Sequence, residues 1–302
     1  MTTSLAVKYR PTLFKQFYGN QATLSALQSC LQREGCPHTI LFIGPSGCGK
    51  TTLARIVKQK LKCSSFDFIE NNAADFRGID SVRDIIRQMS LAPMDGPCRV
   101  WLLDECHQLS KDAQHALLKA LEDTPSHVYF LLATTDPSKL LPTIRTRCTQ
   151  FEVKALSPKE IIDLLKNICE MEKVAIPNEV LEQIGEDSLG SPRMALSILD
   201  KIIGMKKEEM LEAAKQQAQA QSESIDLCRA LISKRPWKEI AKILSNLEQE
   251  PEQVRRAILG YAQAVLLKSG QDRAYLIIEA FREPLYDIGK PGLVASCFEA
   301  IQ

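Results

Sequence analysis

The stretch Gly44-Pro45-Ser46-Gly47-Cys48-Gly49-Lys50-Thr51 fits the G-x-x-x-x-G-K-[ST] spacing of a phosphate-binding loop. Few folds can carry it. The apolar run Thr39–Ile43 before it reads as a buried strand, and Thr52-Leu53-Ala54-Arg55-Ile56-Val57 after it continues as a helix. Glycines at a strand-to-helix turn let backbone N–H groups approach phosphate oxygens without Cβ interference, above the positive end of the helix dipole. Residues 44–52 then cradle the phosphates of ATP: Lys50 reaches the β- and γ-phosphates and the Thr51 hydroxyl ligates Mg²⁺.

The run Cys98-Arg99-Val100-Trp101-Leu102-Leu103-Asp104-Glu105 is an apolar strand ending in two adjacent carboxylates. In a parallel sheet with helices on both faces, strand C-termini line the ligand crevice, which sets Asp104 and Glu105 beside the phosphate loop. Asp104 then holds Mg²⁺ and Glu105 polarises the water that attacks the γ-phosphate. Paired carboxylates at a strand end also serve as helix caps; the phosphate loop upstream favours the catalytic reading. The next apolar strand, Val128–Ala133, ends at Thr134-Thr135, where a hydroxyl can contact the γ-phosphate or the attacking water.

Basic residues recur at places that admit two readings. Arg77, Arg83 and Arg87 flank the helical stripe Ile79, Val82, Ile85, Ile86 and Met89, as a solvated face or as a row on nucleic-acid phosphates. Lys111 lies in the first turn of a helix capped by Ser110, where the dipole disfavours a cation unless an anion joins it. Arg145 and Arg147 sit on the short link Ile144–Cys148, suited either to ordinary surface pairing or to a guanidinium donated to a neighbouring subunit's nucleotide. Tyr9, Arg10 and Pro11 form an arm that packs on a base or simply anchors the N-terminus.

From Ser157 onward the apolar periodicity is helical only. Ser157-Pro158-Lys159-Glu160 predicts a capping box, followed by helices near 158–172, 177–187 and 191–204. The last opens with Gly190-Ser191-Pro192-Arg193, an arginine opposing the dipole and so calling for an anion. The predicted organisation is an α/β core over 1–155, a three-helix lid over 156–205, a polar linker or linking helix over 206–224, and a helical packing or oligomerisation domain over 225–302.

Lys and Arg total 38 against 37 Asp and Glu, so a polyanion site has to be a local patch. The ten cysteines are scattered without C-x-x-C pairs or zinc spacing, which predicts reduced thiols and no zinc. No signal-peptide core opens the chain and no apolar run reaches about 18 residues, so an intracellular protein of cytoplasm or nucleoid is expected, or of a nucleus if the source is eukaryotic or infects one.

Taken in order, Tyr9-Arg10-Pro11, the loop at 44–51, Leu103-Asp104-Glu105, Ala133-Thr134-Thr135, Thr146-Arg147-Cys148 and Gly190-Ser191-Pro192-Arg193 resemble the motifs of the AAA+ sliding-clamp-loader ATPases, of both the bacterial polymerase III gamma/tau type and the replication factor C small-subunit type. The resemblance implies Walker B roles for Asp104 and Glu105, a sensor role for Thr135, an arginine finger at Arg147, and a second sensor at Arg193. It also implies a spiral of identical or distinct subunits that opens a sliding clamp and sets it on primer–template DNA. Arg77, Arg83, Arg87 and Lys111 fall where the family tracks the duplex, and Leu91, Pro93 and Met94 where it touches the clamp. Two departures stand out: Thr146 replaces the usual Ser, and the cysteine cluster of the bacterial zinc module is missing, which favours a compact non-bacterial small subunit with no long polymerase-binding extension. The alternatives are another DNA-dependent AAA+ motor, such as a branch-migration ATPase, or a structural subunit that binds nucleotide with little turnover.

Overall fold

The computed structural model describes residues 4–33, 35–73, 78–221, 223–247, 249–286 and 288–302. It divides into two compact units, Arg10–Ala155 and a second formed by Met1–Tyr9 with Leu156–Gln302. The single helical turn α1 (Leu5–Lys8) belongs to the second.

The first unit is a parallel five-stranded sheet, β1 (Thr39–Ile43), β2 (Phe68–Asn72), β3 (Arg99–Asp104), β4 (Val128–Thr134) and β5 (Thr149–Glu152), in the order β2-β3-β4-β1-β5. Its strands alternate sides, so successive residues of β1 enter different cores. Ile40 and Phe42 pack with Leu24 and Leu27 of α2 (Gln21–Gln32) and Leu53, Ile56 and Val57 of α3 (Lys50–Lys60). Leu41 packs on the other face with Val82 and Ile85 of α4 (Ile79–Met89), Leu117 of α5 (Lys111–Glu122) and Ile144 of α6 (Pro142–Arg147). Each fully buried Leu, Ile or Phe contributes about 2 kcal/mol of hydrophobic stabilisation. Because both faces are covered, the central strands read as unbroken apolar runs.

Strand β2 begins only at Phe68, because Asp67 is fully buried and takes hydrogen bonds from outside the ladder: Met94 N at 2.9 Å, Asp95 N at 2.8 Å and Arg99 Nη2 at 3.1 Å. The desolvation that would raise the Asp67 pKa is outweighed by those backbone N–H groups, Arg99 and Ser64, so it lies below the usual carboxylate value. The link at 144–148 is mostly helix α6, started by Pro142 at a position where its missing N–H costs nothing.

The second unit is helical: α7 (Pro158–Glu172), α8 (Asn178–Asp187), α9 (Pro192–Ile202), α10 (Lys207–Gln221), α11 (Glu223–Ile232), α12 (Trp237–Asn246), α13 (Pro251–Ser269), α14 (Asp272–Ala280) and α15 (Gly289–Ile301). The predicted capping box forms, with Glu160 N donating to Ser157 Oγ at 3.3 Å and Ser157 N to Glu160 Oε2 at 2.8 Å. Helix α10 fills the polar stretch after 206 and lies on α8 and α9, burying Met210 and Ala214. The buried Asp187 at the end of α8 pairs with Arg229 of α11. Beyond it Leu227, Leu231, Ile240, Leu244, Ile258, Phe281 and Leu293 form the core. No helix among the described residues is long and apolar enough to cross a membrane.

Candidate nucleotide-binding site

The loop between β1 and α3 is fixed by what its glycines exclude. A Cβ on Gly44 would lie 2.0 Å from the Val153 carbonyl oxygen, and one on Gly49 would lie 2.6 Å from the Phe17 ring. Gly49 also has φ +108°, a backbone region closed to most side chains. Gly44 N donates to the Thr134 carbonyl at 3.2 Å, which ties the loop to the end of β4. Pro45 and Ser46 are exposed, while Cys48 is buried with its thiol toward the carbonyls of Pro45 (2.9 Å) and Val153 (3.4 Å). Burial pushes the Cys48 thiol pKa up, against the attraction of Lys50.

Lys50 and Thr51 open α3 at the C-terminal edge of the sheet, and the positive end of that helix points the same way. The buried Lys50 ammonium donates to the carbonyls of Gly44 and Pro45, both at 2.9 Å. Thr51 Oγ1 donates to Asp104 Oδ2 at 2.6 Å, and Glu105 N donates to Asp104 Oδ1 at 3.0 Å. A hydroxyl beside a carboxylate is a hard oxygen pair of the kind Mg²⁺ takes alongside waters and phosphates. Thr52 follows, half-buried, on the same helix.

Glu105 adopts φ +48°, unusual for a residue with a side chain, and starts a 3-10 turn, Cys106–Gln108. Its Oε2 accepts from Thr135 N at 3.3 Å and Thr135 Oγ1 at 3.0 Å. The structure thus brings Lys50, Thr51, Asp104, Glu105 and Thr135 to one sheet edge. It adds His107, which the sequence reading passed over: Nδ1 lies 3.1 Å from Thr134 Oγ1 and 3.4 Å from Glu105 Oε2. Burial lowers the His107 pKa despite attraction from Glu105 and Asp136, so the imidazole is neutral near pH 7. A lone histidine in a short turn gives no periodic signal. Phe17, which limits the loop at Gly49, lies far from it along the chain and belongs to no motif of its own.

Other singled-out residues lie elsewhere. Arg147 ends α6 at the N-terminal edge of the sheet, where its carbonyl accepts from Thr39 Oγ1 at 2.6 Å. Its guanidinium pairs with Glu122 of α5 and donates to the Thr143 carbonyl at 3.1 Å. The five residues of β1, roughly 16 Å of strand, separate that edge from the phosphate loop. Arg83 and Arg87 are exposed and each pairs with a carboxylate one turn earlier, Asp80 at 2.9 Å and Asp84 at 3.1 Å. Lys111 is exposed at the start of α5, and Arg77 lies outside the described residues. Leu91 and Met94 are exposed and Pro93 half-buried on the loop after α4.

In the helical unit, Arg193 is exposed in the first turn of α9. Tyr9 sits in that unit too, where hydrogen bonding to Glu172 raises its pKa; Arg10 and Pro11 begin the sheet unit. Among the described residues no cluster of three or more His, Cys, Asp or Glu could hold a metal by itself.

The family model described as DNA polymerase III, delta subunit matches residues 65–157. The DNA polymerase III subunit gamma/tau of Mycobacterium tuberculosis is 34% identical over 219 residues, 65% of this chain and 38% of that protein. The tau subunit of Escherichia coli is 37% identical over 220 residues, 66% of this chain and 34% of that protein. The chain therefore spans about two fifths or less of the length of these relatives. Relatives that carry the name gamma/tau are thus bacterial, despite the missing cysteine cluster. Among solved structures, the Thermotoga maritima RuvB Holliday junction branch migration motor superposes with a TM-score of 0.60 at 23% identity, over 74% of this chain and 79% of that one. That level of identity speaks for the fold alone. Over about two thirds of its length this chain is thus similar to the DNA polymerase III gamma/tau subunits, and it carries the AAA+ P-loop fold.

Proposed function

We propose that this chain is an ATP-hydrolysing subunit of a sliding-clamp loader, working inside the cell as one member of an oligomeric spiral that opens a clamp and sets it on primer–template DNA. The observation that carries it is the contrast between a phosphate site completed by Lys50, Thr51, Asp104, Glu105 and Thr135 and an arginine, Arg147, at the opposite sheet edge. That arginine serves a nucleotide only if another subunit brings one to it. The RuvB likeness favours no second reading, because it is below a quarter identity, whereas the gamma/tau relatives reach 37%.

In this reading the glycine cradle and Lys50 bind the triphosphate. Thr51 and Asp104 hold Mg²⁺, which neutralises charge on the β- and γ-phosphates when bound. Glu105 takes a proton from the water that attacks the γ-phosphate, and Thr135 keeps the carboxylate aimed. Arg147 supplies planar donors to the neighbouring site, and Arg193 adds an arginine to the nucleotide from the lid. Tyr9, Arg10 and Pro11 flank the base. Arg77, Arg83, Arg87 and Lys111 contact duplex phosphates independently of sequence. Leu91, Pro93 and Met94 meet the clamp.

The test is steady-state ATPase of the complete assembly with buffer, primer–template DNA, the cognate clamp, or both. Synergy between clamp and DNA is expected. Stimulation by DNA with the clamp inert would replace this reading with a translocating motor, and absence of turnover under all four conditions with a structural subunit.

A further inference from the structure

Thr134 is the last residue of β4, and Thr135 follows it just beyond the strand. Thr135 grips Glu105 directly. Thr134 is completely buried, and its hydroxyl already accepts the Asp136 N–H at 3.0 Å. The same oxygen lies 3.1 Å from His107 Nδ1, which in turn lies 3.4 Å from Glu105 Oε2. One side-chain atom thus faces both the buried end of β4 and the carboxylate.

The tautomer follows from that geometry. A lone pair on Nδ1 would face the charged carboxylate oxygen and be repelled, whereas a proton on Nδ1 can be shared between Thr134 Oγ1 and Glu105 Oε2. With Nδ1–H, Oε2 is faced by three donors: Thr135 N, Thr135 Oγ1 and His107 Nδ1. Among the described residues every hydrogen bond to the Glu105 side chain falls on Oε2, which leaves Oε1 as the oxygen to receive a proton from water.

We propose that His107 is a positioning residue for Glu105: its neutral Nδ1–H form, anchored on Thr134, fixes which carboxylate oxygen is tied down and which faces the attacking water. The proposal rests on the hydrolytic role given to Glu105 above. The left-handed backbone at Glu105 makes such a tether useful, since a side chain leaving an unfavourable backbone region has other conformations to reach.

Two measurements test it. In the full chain, long-range ¹H–¹⁵N spectra, with His107→Asn used to assign the signal, read the ring's tautomer near pH 7 without any turnover. The Nδ1–H form is expected, although free neutral histidine prefers Nε2–H; an Nε2–H ring would overturn the proposal. In the complete assembly with clamp and DNA, His107→Ala should lower kcat roughly tenfold, the scale of a modest loss of alignment, with KM and ATP affinity within about twofold. His107→Asn, whose amide nitrogen can stand in for Nδ1, should recover most of the loss. Wild-type kcat in His107→Ala, or no better rate in His107→Asn, would remove His107 from the mechanism. If the wild-type assembly itself fails to hydrolyse ATP, the proposed function falls, and the tautomer still decides the tether.

Discussion

The two edges of the sheet are built from similar residues and used in opposite ways. At the C-terminal edge the charged and hydroxyl groups satisfy one another: Thr51 bonds Asp104, Thr135 bonds Glu105, and Lys50 bonds its own loop. At the N-terminal edge Arg99 is sealed against Asp67 and the Gln88 carbonyl, Arg147 is held to Glu122, and Phe66, Leu91 and Met94 stand in solvent, Met94 at 78% exposure. One edge gathers the candidate nucleotide site. The other carries the buried Arg99–Asp67 pair and, in the proposed function, the groups that meet partners. Arg99 and Asp67 belong to this edge because Asp67 holds the backbone N–H groups of Met94 and Asp95, pinning the loop that displays Leu91 and Met94.

That division can be broken one edge at a time. Lys50→Ala carries the largest expected effect, loss of ATP binding beyond detection in equilibrium titration; normal affinity would dissolve the C-terminal site. Arg147→Ala should leave ATP affinity of the isolated chain unchanged yet lower turnover of the assembly about a thousandfold, a split that only a group acting on a neighbour's nucleotide produces. Glu105→Gln should bind ATP normally with turnover down roughly a hundredfold in single-turnover assays.

The N-terminal edge is tested by stability. Asp67→Asn leaves Arg99 buried without its charge partner and should cost about 3 kcal/mol in urea unfolding at pH 7. The folded pKa of Asp67 is depressed, so the unfolded chain binds the proton first as pH falls. The stabilisation is therefore complete above the ordinary carboxyl range near pH 4 and lost as pH drops through the folded value. Urea unfolding of the wild type at falling pH should show that loss, and Asp67→Asn should lack that part of it. The smallest effect belongs to Arg83→Glu: its exposed pair with Asp80 makes it worth under about 0.5 kcal/mol of stability, while DNA-stimulated turnover should fall severalfold with basal turnover retained.

Legibility in the sequence followed the same division. The strands β1, β3 and β4 were readable because burial on both faces makes them unbroken apolar runs, and the loop was readable because phosphate binding demands glycines and a lysine at fixed spacing. The Thr51–Asp104 pairing could be expected from strand ends in a parallel sheet. Nothing local marked Asp67: an aspartate beside Phe66 reads as a strand residue, and its burial depends on N–H groups from a loop far along the chain. His107 was silent for a related reason, since its partners Thr134 and Glu105 meet only when β3 and β4 are side by side.

The strand order bears on how the chain folds as it leaves the ribosome. The strand that carries the phosphate loop is made first but lies between β4 and β5, which are made last. Until residue 134 has emerged, β1 has two bare edges of unpaired N–H and C=O groups, and until residue 152 one of them remains, a template for wrong pairing. Long-range parallel pairing is slow to form, so nascent chains halted before β5 should depend on chaperones, and a protease should begin to spare β1 only after Thr149–Glu152 is added.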